Sequence, residues 1–192
     1  MRRSDLVSAL ATLAAILLAA PAAYASGADN CQMLISNPSV DYGATTRAEL
    51  LKRQVSPLMM SLGRQSVTLT ATCRVPTLMT LFFRGSAADT DAHAYRLGNG
   101  GAFTLRVLNA RLDGRAVGLG SVLVPGQPPE TQADSLVLSP NTGAVPIIND
   151  VPVRGSSLQL QIDIDAGIST TASRINDRTV LRGDGSFELV EH

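Results

Sequence analysis

Cys31 and Cys73 are the only cysteines in the chain. An isolated pair behind an export signal is the pattern of a disulfide in an oxidising compartment. Cys73 closes a run that alternates like a strand, Ser66-Val67-Thr68-Leu69-Thr70-Ala71-Thr72-Cys73, so the bond would tie the first strand of the exported chain to the next. Other residues that could do chemistry are few. The two histidines, His93 and His192, lie in a polar stretch and at the last position, and they build neither a Ser-His-Asp order nor a zinc spacing. Asp163 and Asp165 would share one face of a strand, where paired carboxylates hold calcium or transfer protons. Their alternation with Ile162 and Ile164 instead predicts a solvated sheet face. Asp89 and Asp91 lack the further oxygen ligands of a calcium loop. Arg182-Gly183-Asp184 spells an integrin-type tripeptide and reads as a hairpin turn. Gly98-Asn99-Gly100-Gly101 has no following helix to cradle a phosphate and reads as a turn. The sequence therefore offers no catalytic residue, no metal site and no cofactor site, and an enzyme is not expected.

These residues must be positioned by short strands. Gln32 to Tyr42 is the first candidate, broken by Asn37-Pro38, and proline there predicts an edge, a bulge or a switch between sheets. Ala44 to Gln54 has helical character. Strands are predicted over Gln65 to Cys73 and Thr77 to Phe83, with a polar loop over Gly85 to His93. Asn99-Gly100 and Asp113-Gly114 are hairpin signals, the second between Phe103 to Ala110 and Arg115 to Val124. Gly126 to Glu130 reads as a loop. Ser135 to Leu138 and Val145 to Val153 are short and proline-interrupted. Ser157 to Asp165 alternates Leu158, Leu160, Ile162 and Ile164 against Gln159, Gln161, Asp163 and Asp165. Ser186 to Val190 is the last strand, after a predicted turn at Gly183-Asp184-Gly185. Many short strands with turn signals between them predict an all-β sandwich or barrel.

Residues 1–25 read as a secretory signal peptide: Arg2 and Arg3, an apolar stretch from Leu6 to Ala20, then Ala23-Tyr24-Ala25 before Ser26. The apolar stretch is shorter than the roughly 20 residues of a membrane span, and no other run reaches that length. Residues 26–192 then form one domain, in a bacterial periplasm or at the cell surface. The chain carries 16 basic and 16 acidic side chains, and without Arg2, Arg3 and Asp5 it has 14 against 15, a net charge of −1. That balance gives nucleic-acid binding no electrostatic footing, and it supplies no polybasic patch for a membrane surface. Aromatics are 4% with no tryptophan, which discourages a sugar-stacking site and an antibody-type core.

Cys31, then Ile35-Ser36-Asn37-Pro38-Ser39-Val40-Asp41-Tyr42-Gly43, then Val67 to Cys73, resembles the opening of chaperone–usher fimbrial subunits. Tyr95-Arg96-Leu97-Gly98, Leu112-Asp113-Gly114 and Gly183-Asp184-Gly185-Ser186-Phe187-Glu188-Leu189-Val190 extend the likeness over nearly the whole exported chain. Together they resemble the branch catalogued as domain of unknown function 1120. The resemblance implies an incomplete immunoglobulin-like sandwich whose missing last strand leaves an apolar groove. A periplasmic chaperone fills that groove first and a neighbouring pilus subunit afterwards, by strand addition. Phe187, Leu189 and Val190 would form one wall. Two departures stand out. The chain ends Glu191-His192 where family members often finish in an aromatic or apolar residue. Only Ser26-Gly27-Ala28-Asp29-Asn30 lies between the predicted cleavage site and Cys31, against the about 6–10 residues of a strand. The expectation is an exported pilus-type subunit with a role in cell adhesion, at a tip or as a minor component, that accepts a strand but does not donate one. The alternative is a self-complete periplasmic or surface β-sandwich that binds a partner without polymerising.

Overall fold

The computed structural model describes residues 30–89, 91–174 and 179–192. The predicted signal peptide lies outside the described residues. The chain builds two antiparallel sheets. Cys31–Ile35 (β1), Met59–Thr77 (β3), Gly155–Ser169 (β13), Gly101–Leu112 (β6) and Ser135–Val137 (β10) follow one another across the first. Gln54–Ser56 (β2) is added to β3, and Tyr95–Leu97 (β5) and Arg115–Ala116 (β7) are added to β6. The second runs Ser186–Glu191 (β14), Met79–Arg84 (β4), Gly143–Ile148 (β11), Gly118–Val122 (β8) and Thr131–Ala133 (β9), with Val151–Pro152 (β12) beside β11. Among the described residues one helix, Arg47–Lys52 (α1), starts at a capping box in which Thr46 and Glu49 satisfy each other's main-chain N–H. Among the described residues no helix is long and apolar enough to cross a membrane.

The expected all-β sandwich is therefore the fold, with strands β1-β3-β13-β6 in the order A-B-E-D of an immunoglobulin sandwich and β4 beside β14 as C beside F. The Cys31–Cys73 disulfide joins directly opposed residues of β1 and β3. The core lies between the sheets and is drawn from one face of each long strand: Val67, Leu69 and Ala71 of β3, Leu105 and Val107 of β6, Leu158, Leu160 and Ile162 of β13. Asp113 (φ 49°) and Gly114 (φ 79°) make the two-residue turn that their types predict, leading from β6 into β7.

Two sequence expectations are corrected. Arg182-Gly183-Asp184 is not a turn: residues 180–185 run without turn geometry into β14, and Gly98 N–H donates to Arg182 O at 2.7 Å. The glycines serve close packing there. A Cβ on Gly185 would meet Phe83 Cζ at 2.2 Å, and one on Gly183 would meet Phe103 at 2.8 Å. The polar face of β13 is also less solvated than its alternation implies. Asp163 is only 8% exposed, and its Oδ1 accepts from Ser66 Oγ at 2.6 Å and from Gln161 Nε2 at 2.9 Å.

Those donors fix the pH behaviour of Asp163. The Ser66 hydroxyl holds its carboxyl below the usual carboxylate range, helped by Gln161, Arg64 and Arg106 and opposed by burial. A carboxyl depressed in the folded state adds stability above its unfolded value of about 3.9, and that stability is lost as pH falls through the folded value. Asp163→Asn is expected to lower stability near neutral pH by about 1 kcal/mol. The gap from the parent protein should close as pH drops below about 4 in denaturation series. A gap constant with pH would remove Asp163 from the acid response.

The outer face of the second sheet carries a second apolar cluster of Phe82, Val122, Val145 and Ile147, with Leu78 and Val190 against it. Thr80 is fully buried there, and its Oγ1 finds no hydrogen-bond partner among the described residues. A buried unpaired hydroxyl costs about 1–3 kcal/mol, so Thr80→Val, which keeps the shape, is expected to stabilise the protein by about 1 kcal/mol in urea denaturation. Loss of stability would mean that the hydroxyl is satisfied by water.

Candidate partner-strand groove

The groove follows from two strand edges. Leu78 and His192 exchange main-chain hydrogen bonds of 3.1 and 3.0 Å at the end of the β4–β14 ladder. Bonded and non-bonded pairs alternate in an antiparallel ladder, so the main-chain groups of Phe187, Leu189 and Glu191 point away from β4. On β1 the bonds Arg74 N–H to Asn30 O (3.0 Å) and Ser36 N–H to Thr68 O (2.9 Å) set the same parity. Cys31, Met33 and Ile35 then point their main-chain groups away from β3. Among the described residues no strand pairs with either outer edge. The two edges belong to different sheets and flank one gap.

That gap is a groove of about 550 Å³. Met33, Ile35, Val40 and Tyr42 form one wall and Phe187 the other, and its floor reaches Val67, Phe83, Phe103 and Leu105. The chain's scarce aromatics are concentrated here. Phe83 meets Tyr95, Phe187 and Phe103 edge-on at centroid distances of 4.7, 4.9 and 6.0 Å. The wall after β1 is pinned where Tyr42 Oη donates to Ile164 O at 2.7 Å. Burial, reinforced by the charge of Asp165, pushes the Tyr42 phenol up to about 12, so it keeps this donor at any physiological pH. At the disulfide end the gap is bridged, because Cys31 N–H donates to Glu191 Oε1 at 3.1 Å.

Of the three residues expected in a strand-accepting wall, Phe187 lines the groove, and Leu189 packs on the same main core. Val190 does not join them. Its side chain lies on the opposite face with the Phe82 cluster, as the period of a strand requires. The sequence reading missed the other wall, Met33, Ile35, Val40 and Tyr42. The signal was present in the alternation of Cys31–Ile35 and in Pro38, which ends strand pairing and also lines the gap.

The remaining candidates are spread over other partners. His93 Nδ1 lies 3.2 Å from Ser139 Oγ, and Asp91 Oδ1 accepts from the His93 main-chain N–H. Asp89 pairs with Arg96 at 2.7 Å, and Asp165 pairs with Arg64 at 2.7 Å. His192 is held through its main chain, its O accepting from Thr77 Oγ1 at 2.8 Å. Among the described residues no group of three His, Cys, Asp or Glu side chains could hold a metal ion.

No family model matches the chain, and no curated protein matches it. The motif resemblance to the narrower fimbrial branch therefore stands on the sequence alone. Among solved structures the chain is similar to the P pilus rod subunit PapA, at 10% identity and a TM-score of 0.50, covering 85% of this chain and 100% of that one. At that identity the likeness speaks for the fold, and the fold it gives is a pilin-type β-sandwich.

Proposed function

We propose that this chain is an exported pilus-type structural subunit whose groove accepts a β-strand from a periplasmic chaperone or a neighbouring subunit. The observation that carries the reading is the pair of unpaired main-chain edges, β1 and β14, flanking an apolar gap that opens onto the core. One extended segment in that gap could hydrogen-bond to either edge and bury alternate apolar side chains, which is strand addition. The likeness in fold to a P pilus rod subunit supports the same reading. The last strand ends on Glu191, whose carboxylate already bridges to β1, so the incoming strand would register from the Phe187 end. In this reading residues 26–192 form one domain, exported by residues 1–25 to the periplasm or cell surface. In the same reading the segment between the predicted cleavage site and Cys31 is short and polar for a donor strand, which favours a tip or minor position with a part in cell adhesion.

Production with and without the cognate chaperone tests this. Chaperone dependence of soluble yield is expected, and equal yield of soluble monomer without it would overturn the proposal. The Glu191–Cys31 bridge favours a second reading, a self-complete sandwich that binds a partner without polymerising. Equal yield is the result that reading expects.

A further inference from the structure

We propose that the chain also associates with further copies of itself end to end, by seating a cationic apolar hairpin tip at one pole of the sandwich in an acidic hollow at the other. The tip is the segment 51–58, from the last residues of α1 through β2 to the start of β3, every residue of which is exposed. Leu51, Val55 and Leu58 are 49, 71 and 73% exposed. Such exposure in a loose loop would carry little information, but this hairpin is tied down. Thr170 N–H donates to Leu58 O at 2.9 Å, Thr170 Oγ1 donates to Pro57 O at 3.2 Å, and Ser61 N–H donates to Arg53 O at 2.9 Å. The apolar side chains are thus held out into water by a fixed scaffold, which marks a surface built for contact.

Charge surrounds them. Arg47, Lys52 and Arg53 come from α1 and its C-cap, and Arg174 from the turn against the hairpin. None of these four pairs with a described carboxylate, whereas Arg64, Arg84 and Arg96 each do. Glu49, the acid of the helix, is held by its cap, accepting from Thr46 N–H at 2.7 Å, and its charge interacts with that of Arg53 without a direct ion pair. The near-zero net charge of the chain hides this cluster: Arg47, Lys52 and Arg53 are close in sequence, and the fold adds Arg174 to them.

The complementary surface lies at the opposite pole. Strand β3 runs 19 residues from Met59 at the tip to Thr77, roughly 60 Å. Thr77 pairs with Gly155, and the turn at Asp113 beside it leads to the rim of a hollow of about 360 Å³. Val117, Ile147 and Ile148 line its apolar part, and Gln132, Asp134 and Asp150 its polar part, with no cation among the lining residues. Ile148 and its cross-strand partner Val151 are 45 and 60% exposed. A protruding apolar tip with cations beside it is complementary in charge to a shallow, partly apolar hollow carrying two carboxylates. The two surfaces differ and lie at opposite ends, so the contact is heterologous and repeats into a row instead of closing on itself. It uses no residue of the groove between β1 and β14, and it stands or falls separately from strand addition.

Sedimentation velocity on the exported chain, residues 26–192, in a concentration series at about 0.01 M and about 1 M salt, tests the proposal. Species growing with concentration at low salt and collapsing to monomer at high salt are expected. Lys52→Gln with Arg53→Gln and Leu58→Ser should abolish growth, as should Asp134→Asn with Asp150→Asn. Each variant keeps one good surface, so mixing the two should give a 1:1 dimer and nothing larger. Unchanged thermal unfolding shows that the variants are folded, and Leu58→Ser alone against Asp150→Asn alone repeats the mixing test with smaller changes. A parent protein monomeric throughout overturns the proposal. So does growth indifferent to both variants, which would assign it to the groove. Tip-dependent binding of the monomer to anionic phospholipid vesicles overturns it as well, by making the tip a lipid face.

Discussion

Replacing both cysteines, Cys31→Ser with Cys73→Ser, is expected to lower stability by about 4 kcal/mol, because the bond closes a loop of 42 residues and removes that much entropy from the unfolded chain. Against a total of about 5–15 kcal/mol this is a large share. For a chain of this length the melting temperature should fall by about 8–16 °C. The structural reason for a large effect is the position of β1. It is an edge strand, paired on one side with β3, and beyond the disulfide its anchors at that end are the Glu191 bridge to Cys31 N–H and the bonds of Asn30 to Arg74 and Val75. Met33 and Ile35 are only partly buried, since the surface that would cover them is the open gap. A free edge strand with a half-buried apolar face is weakly held and a template for aggregation. The variant should therefore show both the stability loss and increased dye-accessible apolar surface. A shift below about 1 kcal/mol would mean that β1 is held by its ladder alone.

Part of this architecture is legible in the residues themselves. The disulfide and the clean alternation from Leu158 to Ile164 are local patterns with one reading, and the fold keeps both. The Asp113-Gly114 turn was legible because its type requires positive φ at both residues. Gly183 and Gly185 were misread for the converse reason. Glycine also serves where a backbone must pass close to rings, and only the distant Phe83 and Phe103 distinguish the two uses. Strand β3 is longer at both ends than its alternating part, because Met60, on the far side of Gly63 and Arg64, packs with Leu50 and Ile168 in a satellite cluster. The groove was half legible. Phe187 and Leu189 stand in an alternating terminal strand, but the facing wall depends on β1 and β14 meeting across two sheets, which no local pattern records. Asp163 appeared solvated because alternation assigns faces, not partners, and Ser66 and Arg106 reach it from the two neighbouring strands.

If the gap between β1 and β14 is a missing strand position, supplying that strand within the chain should raise stability. A short turn after His192 followed by a segment of about six residues, apolar at alternate positions, would fold back along β14 as a hairpin. Main-chain bonds would form to the outward groups of Phe187 and Leu189, and the apolar side chains would cover Met33, Ile35, Val67 and Phe103. Two or three large side chains each contribute about 1.5–3 kcal/mol on burial. Ordering the added residues costs about 1–2 kcal/mol each, offset in part by the new ladder bonds at about 1 kcal/mol each. A net gain of about 1 kcal/mol is expected, which at this chain length raises the melting temperature by about 2–4 °C. The added strand must displace or accommodate the Glu191 carboxylate at Cys31, so Glu191→Gln should leave the gain intact or enlarge it. The control is the same segment with its inward apolar positions changed to Asp. Chain length and turn are then unchanged, and only the side chains entering the groove differ. Equal melting temperatures for the apolar and aspartate segments would show that nothing docks in the gap and would favour the self-complete sandwich. A rise confined to the apolar segment would identify the groove as a strand-binding site, with main-chain pairing setting its position and alternate side chains its affinity.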